Sequence, residues 1–273
     1  MPGAKVFLDG GSCRRPAISW TYPPGAPAAG TRGDLYFTES QLLPAATQLQ
    51  NLGWQIAAHA LGDRAADVAL DLFRNLLRTR ANTPRYRIEH NTLLRDDQLR
   101  RYGQVGVVAT IFGAFGTCAF NQGGFGRADL IPSAHRYLWR WRDLIAANPR
   151  FHVAWSSDWP VFSTNPFDHF YGFVSRRQID AGGSVCKPER EQANDTLSRA
   201  RTLRIVTLDA AYALGQDAVI GSLRPGKLAD LVVVSRNPLT ATLDRIPGIR
   251  VLVTMVGGRA EYCAAGSGVI CPR

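Results

Sequence analysis

No apolar run in the 273-residue sequence approaches the roughly 18 residues needed to cross a bilayer, so no membrane span is expected. The first residues, MPGAKVFLDGG, lack the apolar core of a secretory signal, and a cytoplasmic location is the expectation. Cysteine is sparse. Cys13, Cys118, Cys186, Cys263 and Cys271 include no Cys-x-x-Cys pair, which argues against a thiolate zinc site. Cys263 and Cys271 are near enough in sequence to bridge if the compartment is oxidising. Lysine is nearly missing: Lys5, Lys187 and Lys227 stand among 32 basic residues. No block of like charge occurs, and many arginines neighbour Asp or Glu. The net charge of +10 therefore reads as a solvated arginine-rich surface, not a nucleic-acid patch. There is no internal repeat and no low-complexity tract.

What is present is alternation. Strand-like runs occur at 4–9, 54–60, 86–90, 105–111 and 151–158, mostly with helical stretches between them. Residues 63–80 carry Ala65, Val68, Ala69, Leu72, Phe73, Leu76 and Leu77 at helical spacing, with Asp63 as the expected N-cap. A short helix is expected over 95–103, stopped by Gly103, and another over 133–149. Further helices are expected at 165–177, with Pro166 in the first turn, and at 202–215. Residues 177–201 read as a long loop, and the tail as a small β-rich unit with Pro-Gly and Gly-Gly turns. Strands alternating with helices imply an α/β fold with a parallel sheet, either open and doubly wound or part of a (β/α) barrel. In both, functional groups gather at the C-terminal ends of the strands.

Three strand runs end in a potential metal ligand: His59, His90 and Asp158; the first run adds Lys5. Each also has a plainer reading. A lone strand-end histidine is often a hydrogen-bonded structural residue, Asp158 could cap the turn before Pro160, and Lys5 could be a surface residue. Their shared position at strand ends is what suggests one site. His152 begins its strand and belongs to the far rim, and His135 and His169 read as surface or packing residues. Glu89 should face away from His90 by strand alternation. Phe112, Trp155 and Trp159 could wall a pocket or simply pack.

The motifs HALGDRA, YRIEHNTLL, SSDWPV and GSLRPGKLADLVVV, with AKVFLDGG before them, resemble in order those of the amidohydrolase superfamily. The branch most resembled is the YtcJ-like one, which includes N-substituted formamide deformylases. The resemblance implies a (β/α)8 barrel flanked by a small β-sandwich, and a centre of one or two divalent metal ions, zinc first among them. Carried over by residue, Lys5 is the strand-four lysine, which can be carboxylated; His59 and His90 are the strand-five and strand-six ligands. Asp158 is the strand-eight aspartate, which binds metal and moves the proton. Phe112 and Trp159 are the substrate-binding candidates. The family's His-x-His pair is missing, and at 109–115 (ATIFGAF) the branch often has Gln-Pro.

The expectation is thus a partial TIM-type (β/α) barrel, strands four to eight, over 1–215, with a small β-rich flanking unit over 216–273. Its activity would be hydrolysis of a non-peptide C–N bond of amide or formamide type in a small-molecule substrate. No nucleic acid and no membrane are involved, and homo-oligomer formation stays open. The chain would be a C-terminal portion of the enzyme. The alternative is a non-catalytic truncated remnant or pseudoenzyme keeping at most one metal site.

Overall fold

The computed structural model describes residues 2–271 apart from 12–13, 114–116, 119–124, 150, 181, 190–191 and 267–270; Met1, Cys13 and the end of the 109–115 run lie outside the described residues. Strands β1 (Gly3–Phe7), β2 (Gln55–Ala60), β3 (Arg87–His90), β4 (Val108–Ile111) and β5 (Val153–Trp155) form one sheet in the order β1-β2-β3-β4-β5. Every neighbouring pair is parallel, so all five C-terminal ends open on one side. Strands β2 to β5 fall inside runs expected from sequence, and β1 begins one residue before its run.

The register sorts the side chains. Val6, Ala58, Ile88, Ala109 and Val153 form one row across the sheet, packed against the helices in the main core. The adjacent row, Phe7, His59, Glu89, Thr110 and Ala154, faces the other way. Helix α1 (Glu39–Asn51) and helix α2 (Asp63–Leu77) lie between β1 and β3 in the chain. In α2, Ala65, Ala69, Leu72, Phe73 and Leu76 are buried along one stripe. Burying each of the larger ones stabilises the fold by roughly 1.5–3 kcal/mol. Pro44 inside α1 masked that helix in the sequence, while a Thr38–Gln41 capping box starts it.

Several local expectations are corrected. Asp63 is the first residue of α2 rather than its cap, which is Gly62; a Cβ at Gly62 would fall 1.9 Å from the Ala17 carbonyl oxygen. The Asp63 carboxylate instead accepts from Ser19 N (2.9 Å) and Arg95 Nη1 (2.6 Å), tying the loop after β1 to the next helix. That helix, α3 (Asp96–Val105), runs through Gly103 and stops at Gly106, whose φ of +77° suits glycine. The segment expected as one helix over 133–149 is a 3-10 turn (Pro132–Tyr137) followed by helix α4 (Trp141–Ala147). Helix α5 (Pro166–Ser175) begins at an Asn165 cap. The expected loop 177–201 holds a hairpin of β6 (Gln178–Ile179) and β7 (Val185–Cys186). The helix over 202–215 breaks at Thr207 into α6 (Arg199–Val206) and α7 (Leu208–Ala213).

The tail forms a three-stranded antiparallel sheet from β8 (Leu231–Val234), β9 (Val251–Val256) and β10 (Arg259–Cys263), in the order β10-β9-β8. Ile246 and Ile249 pack it against Phe167, Phe170 and Tyr171 of α5. Cys263 and Cys271 are paired by a disulfide, as their spacing allowed, and so are Cys118 and Cys186, a pairing the sequence did not suggest. Among the described residues no helix is long and apolar enough to cross a membrane.

Candidate functional site

Lys5, His59, His90 and Asp158 line one cavity of about 1050 Å³ at the C-terminal ends of the parallel strands. His59 reaches it by ordinary alternation, two register rows beyond Lys5 and Ala57 and so on the same face. His90 does not. The register sets it beside Ala60, on the helix-facing side of the sheet. Its φ is +77° and that of Asn91 +54°, and this left-handed backbone breaks the alternation. The two imidazole rings thereby meet with centroids 4.2 Å apart. Asn91 holds the turn: its Nδ2 donates to Ile88 O (2.8 Å) and Thr110 O (3.0 Å), and its Oδ1 accepts from the buried Tyr102 hydroxyl (2.6 Å). Asp158 is a third left-handed residue, φ +52°, in the loop after β5.

Glu89 corrects another expectation. By the β2–β3 register Glu89 shares a row with His59, so it faces the side toward which His90 turns, and it pairs with Arg87, which in turn reaches Gln55. Phe112 is buried at 1% with its ring 4.9 Å from that of His90, and it is not among the lining residues, so the structure gives it a packing position. Trp159 lines the rim and is 70% exposed. Trp155 packs on His169, which is fully buried and bonded to Ser163 O, and His135 is buried too. His152 stands just before β5, at the opposite end of the sheet, against Asp209.

Burial is the main electrostatic force here. It lowers His59 to a pKa of about 4, helped by the positive charge of Lys5. It also drives His90 well below the ordinary imidazole range, with His59 and Lys5 adding to the effect. Asp158 is raised by burial, against the attraction of Lys5 and with the repulsion of Glu89. Both imidazoles are thus neutral at neutral pH, the form whose lone pair can bind a cation. Both His59 ring nitrogens are buried without a hydrogen bond among the described residues, and a bound ion would satisfy one of them.

Two residues that the sequence reading passed over belong to this cavity. Asp9, two residues beyond β1, lies with Oδ1 3.5 Å from His59 Nε2. It accepts backbone amides of Leu61 (3.1 Å), Gly62 (2.7 Å) and Ala17 (3.1 Å), yet burial pushes its pKa up to about 6. Arg14, in the same loop, lines the cavity and is held by Asp129. The signal for both was their place just past a strand end. Gly11 fits between them: a Cβ there would lie 2.3 Å from Leu61 Cδ1 and 3.0 Å from His59 Nε2.

The sequence profile described as the Amidohydrolase family matches residues 3–262. Protein LONG AFTER FAR-RED 3 of Arabidopsis thaliana is 30% identical over 217 residues, 77% of this chain and 34% of that protein. N-substituted formamide deformylase of Arthrobacter pascens is 27% identical over 238 residues, 86% of this chain and 41% of that enzyme. Among solved structures, an uncharacterized metal-dependent hydrolase from Pyrococcus horikoshii OT3 superposes with a TM-score of 0.72 at 26% identity, over 89% of this chain and 46% of that one. The chain thus spans between 34% and 41% of the length of these two curated relatives. A profile match running through all five parallel strands and the tail sheet, over a cavity with two neutral imidazoles, places the chain in the amidohydrolase family.

Proposed function

We propose that this chain carries the metal-binding part of an amidohydrolase that cleaves a non-peptide C–N bond of amide or formamide type, as a portion of a longer enzyme. The observation that carries the reading is the meeting of His59 and His90, 4.2 Å between ring centroids, in a cavity that Lys5 and Asp158 also line. A partial (β/α) barrel fits it. Lys5 on β1 and Asp158 beyond β5 belong to opposite edge strands, yet each lies within reach of the other's charge, as a curled sheet would allow. In this reading 1–215 is the partial barrel and the tail sheet is the small β-sandwich portion.

A bound divalent ion, zinc first among candidates, would supply Lewis acidity and a water molecule of lowered pKa. His59 and His90 would hold it through neutral ring nitrogens. Lys5 could join them only without its ammonium charge, as in a carboxylated form, since an ammonium repels a cation. Asp158 is suited to take a proton at its carboxylate and return it to the departing nitrogen, because burial makes it a stronger base than an exposed aspartate. Trp159 and Phe7 offer apolar surface at the rim for the substrate's carbon skeleton.

One observation favours the second reading, a non-catalytic remnant with at most one weak ion: among the described residues no three His, Cys, Asp or Glu side chains group closely enough to hold a metal. The two readings part in one assay. The zinc-loaded chain is incubated with N-alkyl and N-aryl formamides and acetamides, and released amine is measured. Turnover that falls roughly 100- to 10,000-fold in Asp158→Asn supports the hydrolase. Absence of turnover at every substrate leaves the remnant.

A further inference from the structure

Arg14 is built into the cavity wall in an unusual way. Its backbone is left-handed, φ +55°, in the loop that follows β1. Its Nε and Nη2 are taken by the two oxygens of Asp129, with Nε to Oδ2 at 3.2 Å. Asp129 is fully buried, and its Oδ2 also accepts the Gly126 amide at 2.9 Å. The guanidinium is therefore fixed before any ligand arrives, at little further entropic cost. Among the described residues Nη1 has no protein partner, while the side chain remains 32% exposed on the cavity.

Asp9, Asp158, Asp168 and Asp180 also line the cavity, and among the described residues none of them is hydrogen-bonded to Arg14; Asp9 is taken up by the amides of Leu61, Gly62 and Ala17. Asp180 Oδ1 accepts the amides of Gly182 (2.9 Å) and Ser184 (2.8 Å), and Asp168 Oδ1 accepts Asn165 Nδ2 (3.1 Å). Both belong to segments that follow β5, the opposite edge strand from β1. Phe7, Tyr36, Phe125 and Trp159 line the space between with aromatic surface. We propose that Arg14 anchors a carboxylate carried by the substrate, so that the pocket selects amide-type substrates bearing an acidic group and an apolar body. The proposal rests on the amidohydrolase reading for what is cleaved, but the anchoring step needs no turnover.

Binding of three probes that share one body, 3-phenylpropionate, 3-phenylpropanol and 3-phenylpropylamine, tests it by titration calorimetry on the full chain. A charge-assisted hydrogen bond predicts that the acid binds roughly 10- to 100-fold tighter than the alcohol. Arg14→Met and Arg14→Gln should bring the acid down to the alcohol's level, and Arg14→Lys should restore part of the preference. Gln can still donate to Asp129, so it guards against a Met variant that fails to fold. Equal binding of acid and alcohol, survival of the preference in Arg14→Gln, or binding of no probe overturns the proposal. Hydrolysis of neutral amides without any acid preference would overturn Arg14's role alone, and an acid preference in a chain that hydrolyses nothing would overturn the hydrolase reading alone.

Discussion

His59 and His90 meet ring to ring, 4.2 Å between centroids and 66° between planes, although the sheet register sets His59 beside Glu89 and His90 beside Ala60. The left-handed pair His90–Asn91 makes that meeting possible, and Asn91 secures it by three buried hydrogen bonds. Replacing Asn91 by Ala leaves the Tyr102 hydroxyl and two backbone carbonyls without this partner. A loss of about 2–4 kcal/mol is expected, read from urea denaturation, together with weaker binding of divalent ions. Tyr102→Phe should cost about 1 kcal/mol and leave ion binding nearly intact.

Gly11 is the second positional constraint. A methyl group there cannot fit beside Leu61 and His59 unless one of them moves. Gly11→Ala should cost about 1–3 kcal/mol and displace the imidazole. Ion affinity should fall further than stability alone would explain. Equal losses in Gly11→Ala and in a control such as Gly248→Ala, where the added carbon meets only Arg245 O at 3.8 Å, would show that Gly11 has no special part.

In metal-free protein the buried groups set opposing pH dependences. His59 titrates near 4 when folded and near its ordinary 6.5 when unfolded, so between those values the unfolded chain binds more protons and stability falls as the pH drops. His90 acts in the same direction. Asp9, raised from 3.8 to about 6, does the reverse, since the folded chain keeps its proton longer. His59→Gln should therefore flatten the loss of stability between neutral pH and pH 4, by at most on the order of 3 kcal/mol. Asp9→Asn should steepen it. Chemical denaturation at several pH values in chelator compares the slopes.

The Cys118–Cys186 disulfide ties the segment after β4 to the β6–β7 hairpin, whose Gln178 and Ile179 line the cavity. Its ends are 68 residues apart, and a loop of that length predicts a stabilisation of about 4 kcal/mol. Replacing both cysteines by serine should lower the thermal midpoint accordingly, and reductant should lower the parent further than the variant, which keeps only the Cys263–Cys271 bridge.

Much of the sheet was legible because the central parallel strands β2, β3 and β4, buried on both faces, leave short apolar runs, and each run overlaps a strand. The strand-end rule likewise brought Lys5, His59, His90 and Asp158 to one cavity. What could not be read was backbone geometry. Alternation placed Glu89 away from His90, and only the positive φ at His90 shows why that residue turns toward His59. Helix α1 hid behind Pro44, and Gly103 sat inside a helix that continued past it. Arg14 and Asp9 drew no notice because their roles depend on partners distant in sequence, Asp129 for one and His59 for the other.

The most direct test of the account is the metal content of the chain after zinc loading and desalting, measured by atomic emission beside His59→Ala and His90→Ala. The account predicts about one zinc ion per chain, lost in both variants while their secondary structure by circular dichroism is retained. Zinc retained equally in the parent and in both variants would contradict it.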